Sequence, residues 1–272
     1  MKAVKIYSKN ATYQKLEVLK TNRNKRYKYY EFFVEGVRNI NEAIRNNWHI
    51  CSFLYTTEKP LSNWSKDILR TVNSDCNYEL TARLMADLSN KEDTSELMAV
   101  VKMRDDSFEQ FYFSKNPVIA LFDRPSNKGN LGTIIRSCDA LGVEGLIITG
   151  HAVDLYDTDV IVSSMGSFFN VPTIRVTDNA QVMAFIKNMK ADYPDFKVVG
   201  TTAHEQNPIY SIDMSKPIMF MIGNETDGLC RAYKECCDVQ VTIPMADISS
   251  ASSLNVACAA TIMFYEASRQ RR

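Results

Sequence analysis

Three short stretches of the 272-residue chain hold side chains whose types and spacing suit chemistry on a phosphorylated or polar ligand. In the first, the turn Ser126-Asn127-Lys128-Gly129-Asn130 follows the apolar run 119–122 and precedes Arg136 by one and a half helical turns. Backbone amides at a helix start, with a guanidinium beside them, suit a phosphate. The predicted helix 130–141 has its core stripe at Leu131, Ile134, Ile135, Cys138 and Leu141, which leaves Arg136 on another face. In the second stretch, Glu225 lies within Gly223-Asn224-Glu225-Thr226-Asp227-Gly228-Leu229, directly after the apolar run 218–222 that ends at Ile222. A side chain at position 223 would crowd a ligand lying against the backbone, which accounts for glycine there. The third runs from Ile243-Pro244-Met245 to Ser253-Leu254-Asn255, where Ser253 either caps the closing helix or touches substrate.

These residues need strands that end together and helices that start there. The second half of the chain predicts strands at 118–122, 145–149, 171–176, 197–202, 218–222 and 239–243. Helices are predicted at 130–141, 157–165, 178–191, 228–235 and 252–268. Strands separated by helical crossovers imply a mainly parallel sheet covered on both faces, with binding groups at the strand C-termini. The last helix carries small and apolar residues on every face, so it must be covered by its own domain or by a second subunit. Residues 1–110 read as a smaller α/β domain and residues 111–272 as the second. The segment 105–116 is a linker whose Phe108, Phe111, Tyr112 and Phe113 are expected to pack rather than stack on bases.

Composition excludes more than it identifies. Lys plus Arg and Asp plus Glu both total 32, so no global basicity announces a polyanion. Residues 1–30 nevertheless carry nine Lys or Arg against the single acid Glu17, a local field able to attract nucleic acid. Seven cysteines without a C-x-x-C pair, and only three histidines, imply free thiols in a reducing cytoplasm and no metal site. No apolar run reaches the ~18 residues of a membrane span, so no membrane role is expected. No G-x-G-x-x-G follows a strand, which disfavours nicotinamide enzymes and Rossmann methyltransferases. Asp123, Asp139, Asp154, Asp157 and Asp159 are scattered rather than grouped as for a two-metal nuclease, and read as caps and solvated loop charges.

In order and spacing, the three stretches resemble the motifs of the SpoU (TrmH-like) family of SPOUT RNA methyltransferases over roughly residues 116–269. Phe33-Val34-Glu35-Gly36 resembles the opening of the L30e-like RNA-recognition domain that precedes the catalytic domain in such proteins. The resemblance implies an α/β fold with a trefoil-knotted, mainly parallel catalytic sheet and a small L30e-like domain before it. It implies S-adenosylmethionine as methyl donor, a ribose 2'-hydroxyl of structured RNA as acceptor, ribosomal RNA in preference to transfer RNA, and a homodimer. By the same resemblance the catalytic set is Asn130, Arg136, Glu225, Ser253 and Asn255. Thr201, Thr202, Ala203, Ile222, Gly223, Asn224, Ile243, Met245, Ser253 and Leu254 would hold the cofactor, and Glu225 would order the active-site loops or Arg136. A guanidinium has no acceptor site and holds its charge at any working pH, so Arg136 is expected to clamp a phosphate and stabilise charge on the ribose oxygen rather than act as a base. Departures from the family pattern, Ala246-Asp247 after Ile-Pro-Met, Ser252, and Ala257, fall on the substrate side. The rival reading is an RNA-binding protein of the same fold that has lost catalysis; the presence of Arg136 favours the enzyme.

Overall fold

The computed structural model describes residues 3–89, 91–202 and 207–272. The chain forms β1 (Ala3–Ile6), α1 (Ala11–Thr21), α2 (Arg23–Tyr29), β2 (Glu31–Glu35), α3 (Val37–Arg45), β3 (Ile50–Tyr55), α4 (Asn63–Thr71), β4 (Asn77–Leu80), α5 (Ala82–Leu88) and β5 (Leu97–Lys102). It continues with β6 (Val118–Asp123), α6 (Lys128–Leu141), β7 (Gly145–Thr149), α7 (Thr158–Ser163), β8 (Thr173–Val176), α8 (Asn179–Asp192), β9 (Lys197–Thr201) and β10 (Asn207–Pro208). The last elements are β11 (Ile218–Ile222), α9 (Arg231–Cys236), β12 (Val239–Thr242) and α10 (Val256–Gln270).

Two compact units result, Met1–Arg104 with Asp154–Asn170, and Asp105–Val153 with Val171–Arg272. The division therefore differs from the one expected at residue 110, and α7, expected in the second domain, packs in the first unit. The reason is chemical rather than periodic. Arg26 is 1% exposed and donates to Asp154 (2.7 Å from Nε) and Asp157 (3.3 Å), while the Tyr27 hydroxyl donates to Asp154 at 2.7 Å. Around them Phe32, Trp48, Tyr156, Phe168 and Phe169 form one aromatic cluster, with Phe32 and Tyr156 centroids 4.9 Å apart. Asp154 is thus a buried partner and not the solvated loop charge the sequence suggested.

The first unit's sheet has the order β1-β4-β3-β5-β2, parallel from β1 to β3 and antiparallel from β3 to β2. One face packs on Tyr13, Leu16 and Leu19 of α1, joined by Leu84, Met85 and Leu88 of α5. The basic N-terminal stretch is less free than its composition implied. Lys5 pairs with Glu79, Lys9 with Glu17 and Asp87, and Lys15 with Glu31; Arg26 is buried, and Lys28 stays exposed.

The second unit's sheet is parallel at every described pairing, in the order β10-β12-β9-β11-β6-β7-β8. All residues of β6, β7 and β11 are buried, the signature of strands covered on both faces. On one side Phe111, Val182, Ile186, Leu229 and Tyr233 share a core with the sheet, and Phe108 and Phe113 pack against it as expected. Tyr112 departs from that expectation at 87% exposed.

Helix α10 buries Ala257, Ala260, Met263, Phe264 and Ala267, and meets α6 through the 2.7 Å Ser137–Thr261 hydroxyl contact. Its C-terminus is tied to the opposite, N-terminal edge of the sheet. There Arg271 donates to the carbonyls of Met214 (2.9 Å), Asn116 (2.6 Å) and Lys216. The helix was expected to begin at 252; it begins at Val256, and residues 243–255 form an irregular segment with a turn closed by Ser249 N–H to the Ala246 carbonyl. No helix among the described residues is long and apolar enough to cross a membrane.

Replacing Arg26 with methionine leaves Asp154 buried without its partner, and removing one member of a buried pair costs about 3–5 kcal/mol. Urea unfolding of Arg26→Met at neutral pH is expected to show a loss of that size. A variant as stable as the parent would mean that Asp154 finds another partner.

Candidate active site at the ends of the central strands

The sheet order places β9 between β12 and β11, and β11 beside β6. The C-terminal ends of these four parallel strands, Thr242, Thr201, Ile222 and Asp123, therefore lie along one edge although they are far apart in sequence. Each predicted stretch leaves the sheet at that edge. Asn127 caps α6, its side chain accepting from the Asn130 N–H at 2.9 Å, and Asn255 caps α10, accepting from Ala257 at 2.9 Å and Cys258 at 3.3 Å. The capping role considered for Ser253 thus belongs to Asn255, and Ser253 is exposed.

A continuous hydrogen-bonded chain joins the three stretches. The Glu225 carboxylate accepts from the Ser126 hydroxyl (2.8 Å) and Ser126 N–H (3.3 Å) on one oxygen, and from Asn130 Nδ2 (3.1 Å) on the other. Asn130 Oδ1 in turn accepts from Asn255 Nδ2 at 3.1 Å. Partial burial pushes the Glu225 pKa up, but the donors Asn130 and Ser126 outweigh it, and the net shift is downward. Glu225 is therefore an ionised, oriented group at neutral pH, and it orders loops. Arg136, six residues beyond Asn130 and so about 9 Å further along the helix, is exposed and forms no hydrogen bond or ion pair among the described residues. The network brings together Asn130, Glu225 and Asn255; Arg136 and Ser253 stand outside it.

The residues expected to hold a cofactor line the neighbouring strand ends. Thr201 and Thr202 are half-buried at the end of β9, with Thr202 N–H donating to the Val241 carbonyl at 3.0 Å. Ala203 lies outside the described residues. Ile222 and Gly223 are buried, Ile243 is half-buried, and Met245 and Leu254 are exposed together with Ile248. Gly223 is required for a reason the sequence did not show. A Cβ there would meet Gly228 and Leu229 backbone atoms at 2.4 Å, so the glycine admits the close return of its own loop. Asn224 is also committed within that loop: its N–H and carbonyl pair with Gly228, and its Oδ1 accepts from Thr226 at 2.8 Å. Its side-chain amide also donates, to the Arg124 carbonyl at 2.7 Å, so both ends of the side chain are engaged within the protein.

Two contributors escaped the sequence reading. Asp123, expected as a solvated charge, is 2% exposed and accepts from the Thr149 hydroxyl at 3.0 Å and the Cys230 N–H at 2.8 Å. Its signal was present, since a carboxylate ending a fully buried strand is tolerated only when well hydrogen-bonded. Ser126, read only as part of a turn, is the direct partner of Glu225. In the first unit, the donor atoms of His49, Cys51 and Asp75 lie within 4.8 Å of one another. His49 is already hydrogen-bonded to Asp75 at 2.9 Å, and burial pushes the Cys51 thiol up to about 12, so the group is a hydrogen-bonded pair beside a protonated thiol.

A carboxylate with a lowered folded-state pKa contributes stability that is fully present above the ordinary value of 4.5 and is lost as pH falls through the lowered value. Glu225→Gln is therefore expected to be less stable than the parent at neutral pH, with the two melting temperatures converging as pH drops below 4.5. A difference that grows in acid would contradict the assigned hydrogen bonds.

Residues 117–265 match the SpoU rRNA Methylase family model, and residues 10–99 match the SpoU L30e-like domain. The 23S rRNA (uridine(2479)-2'-O)-methyltransferase of Streptomyces viridochromogenes is 42% identical over 270 residues, covering 99% of this chain and 93% of its own length. The crystal structure of the SpoU methyltransferase AviRb from that organism, in complex with the cofactor AdoMet, superposes with a TM-score of 0.90 at 42% identity, over 96% of this chain and 98% of that one. The 23S rRNA (guanosine(2553)-2'-O)-methyltransferase RlmP of Bacillus subtilis is 26% identical over 243 residues, 89% of this chain and 90% of its own. With its L30e-like unit followed by a parallel sheet whose strand ends gather all three motifs, this chain belongs to the SpoU rRNA methylase family.

Proposed function

We propose that this protein transfers a methyl group from S-adenosylmethionine to a ribose 2'-hydroxyl of 23S ribosomal RNA. The observation that carries the reading is the chain Ser126–Glu225–Asn130–Asn255, which locks the three motif segments at one sheet edge. Full-length likeness to a 23S rRNA 2'-O-methyltransferase supports the substrate class. S-adenosylmethionine fits the residues present. The ends of β9, β11 and β12 adjoin, and exposed Met245, Ile248 and Leu254 offer apolar surface for an adenine face beside the backbone of Thr201, Thr202 and Ile243. When bound, the cofactor supplies an electrophilic methyl group on a sulfonium.

Within that site Arg136 is the substrate-side cation. Exposed and without a partner among the described residues, it clamps a backbone phosphate and stabilises the negative charge that grows on the ribose oxygen. Glu225 and Asn130 hold the helix start that carries it, and Ser253 faces the RNA. Ala246-Asp247 and Ser252, in the irregular segment before α10, shape the same side. The L30e-like unit binds structured rRNA, and the protein works in the cytoplasm on that substrate.

The C-terminal segment passes through its own loops as a trefoil knot. Support comes from the pairing of β12 with β9 rather than with the preceding β11, and from the return of α10 along α6 to the far sheet edge. Two copies form the working enzyme. Ile262 and Tyr265, 37% and 54% exposed, continue a stripe with Cys258 on the outer side of α10, apolar surface that a second copy would cover.

Labelled methyl transfer to total ribosomal and transfer RNA, mapped by resistance to alkaline cleavage, is expected to mark one 23S rRNA ribose. Arg136→Ala should lower that signal by about a hundredfold or more, the scale of losing a charge-stabilising group. Retention of S-adenosylmethionine by the variant would separate this role from cofactor binding. Label confined to transfer RNA, or full activity without Arg136, would refute the assignment. Light scattering should report a dimer, and Ile262→Asp with Tyr265→Asp should yield monomers with lowered transfer; an unchanged dimer would move the interface elsewhere.

A further inference from the structure

Behind the Glu225 network lies a second polar convergence, centred on Arg124. This residue adopts φ +52°, in the left-handed region that an arginine rarely occupies. Its N–H donates to the Thr149 carbonyl at 3.0 Å, and its side-chain stem lies against Gly150, where a Cβ would come within 2.5 Å of Arg124 Cγ. A non-glycine residue persists in such a conformation only where its surroundings over-determine it, and such residues concentrate at functional sites.

What the strained conformation achieves is a grip on both ends of one loop. The Arg124 carbonyl accepts from Asn224 Nδ2 at 2.7 Å, while its guanidinium donates to the Gly228 carbonyl at 2.9 Å. Asn224 and Gly228 are the two residues that bridge each other through paired N–H and carbonyl groups, and Glu225 sits between them. The guanidinium is aimed by Asp123, whose buried Oδ2 accepts from Nε at 3.1 Å and from the terminal nitrogen at 3.0 Å. That same oxygen accepts from the Cys230 N–H at 2.8 Å, which fixes the chain just beyond the loop. The contact with exposed Asp227, at 3.6 Å, adds little.

We propose that Arg124 is a positioning residue of the methyl-transfer site: by holding Asn224 and Gly228 against the end of β6, it sets the Glu225 carboxylate on Ser126 and Asn130. This deepens the reading of the same site and rests on it. A lysine in its place would keep the charge but lose the two-pronged geometry that reaches Asp123 and Gly228 together. Arg124→Gly is the informative variant, because glycine accepts the backbone conformation and keeps both backbone hydrogen bonds while deleting the guanidinium.

Two measurements on the full chain test this. In a double-mutant cycle of rRNA methylation, Arg124→Gly is expected to lower kcat by about tenfold, and Arg124→Gly with Glu225→Gln should be no slower than Glu225→Gln alone, because the two act as one unit. Losses that multiply would overturn the proposal. Carboxyl-carbon NMR of Glu225, read without RNA or cofactor, should show its titration moving up towards 4.5 in Arg124→Gly as the Ser126 and Asn130 donors are lost. A titration identical to that of the parent would also overturn it. Should the parent methylate no RNA, the functional reading fails, while the titration still decides whether Arg124 sets Glu225.

Discussion

Everything in the catalytic unit depends on one constraint: its strands are parallel, so all of them end at the same edge. A parallel sheet buried on both faces offers polar groups to solvent only at its ends. In this sheet β9 is inserted between β12 and β11, and β11 lies beside β6. That order brings residues 123, 201, 222 and 242 into one row, and the loops leaving them have to satisfy one another's hydrogen-bonding groups. The site is built from this requirement.

Two layers of polar contacts meet it. The inner layer is the buried Asp123 carboxylate, which receives the Thr149 hydroxyl, the Cys230 N–H and the Arg124 guanidinium. The outer layer is Glu225, which receives Ser126 and Asn130, with Asn255 attached through Asn130. The inner layer is centred on a buried carboxylate and fixes backbone; the outer one is open to solvent and holds the helix start that carries Arg136. Arg136 itself is left without a protein partner among the described residues, as suits the phosphate-clamping role proposed for it.

The first unit shows how composition misleads about an electrostatic surface. Nine basic residues in the first 30 suggest a strong positive field. Several are neutralised within the unit by Glu17, Glu31, Glu79 and Asp87, and Arg26 is buried against Asp154 and Asp157. Arg26 serves packing: it ties Asp154 and Asp157, in the segment that carries Tyr156 and Phe168 to the aromatic cluster of Phe32, to the first unit. Charge counts along a sequence cannot separate these roles, because the acids that cancel the bases come from other elements.

Sequence alone determined the order of the second unit's elements apart from the short edge strand β10, the family resemblance, and the three segments that carry the chemistry. Strand type was legible in the unbroken apolar runs of β6, β7 and β11, because a strand buried on both faces has no polar position to spare. Tertiary structure decided which segments are neighbours, since the insertion of β9 between β12 and β11 is a long-range pairing that no local period encodes. It assigned the α10 cap to Asn255 rather than Ser253, and it placed α7 in the first unit through Arg26. It also gave Gly223 a further reason, the close approach of Gly228 and Leu229. Asp123 and Arg124 needed it most. An acid and a base side by side at a strand end look like solvated charges in a sequence, and only the convergence on them of the end of β7 and the loop after β11 makes them the inner support of the site.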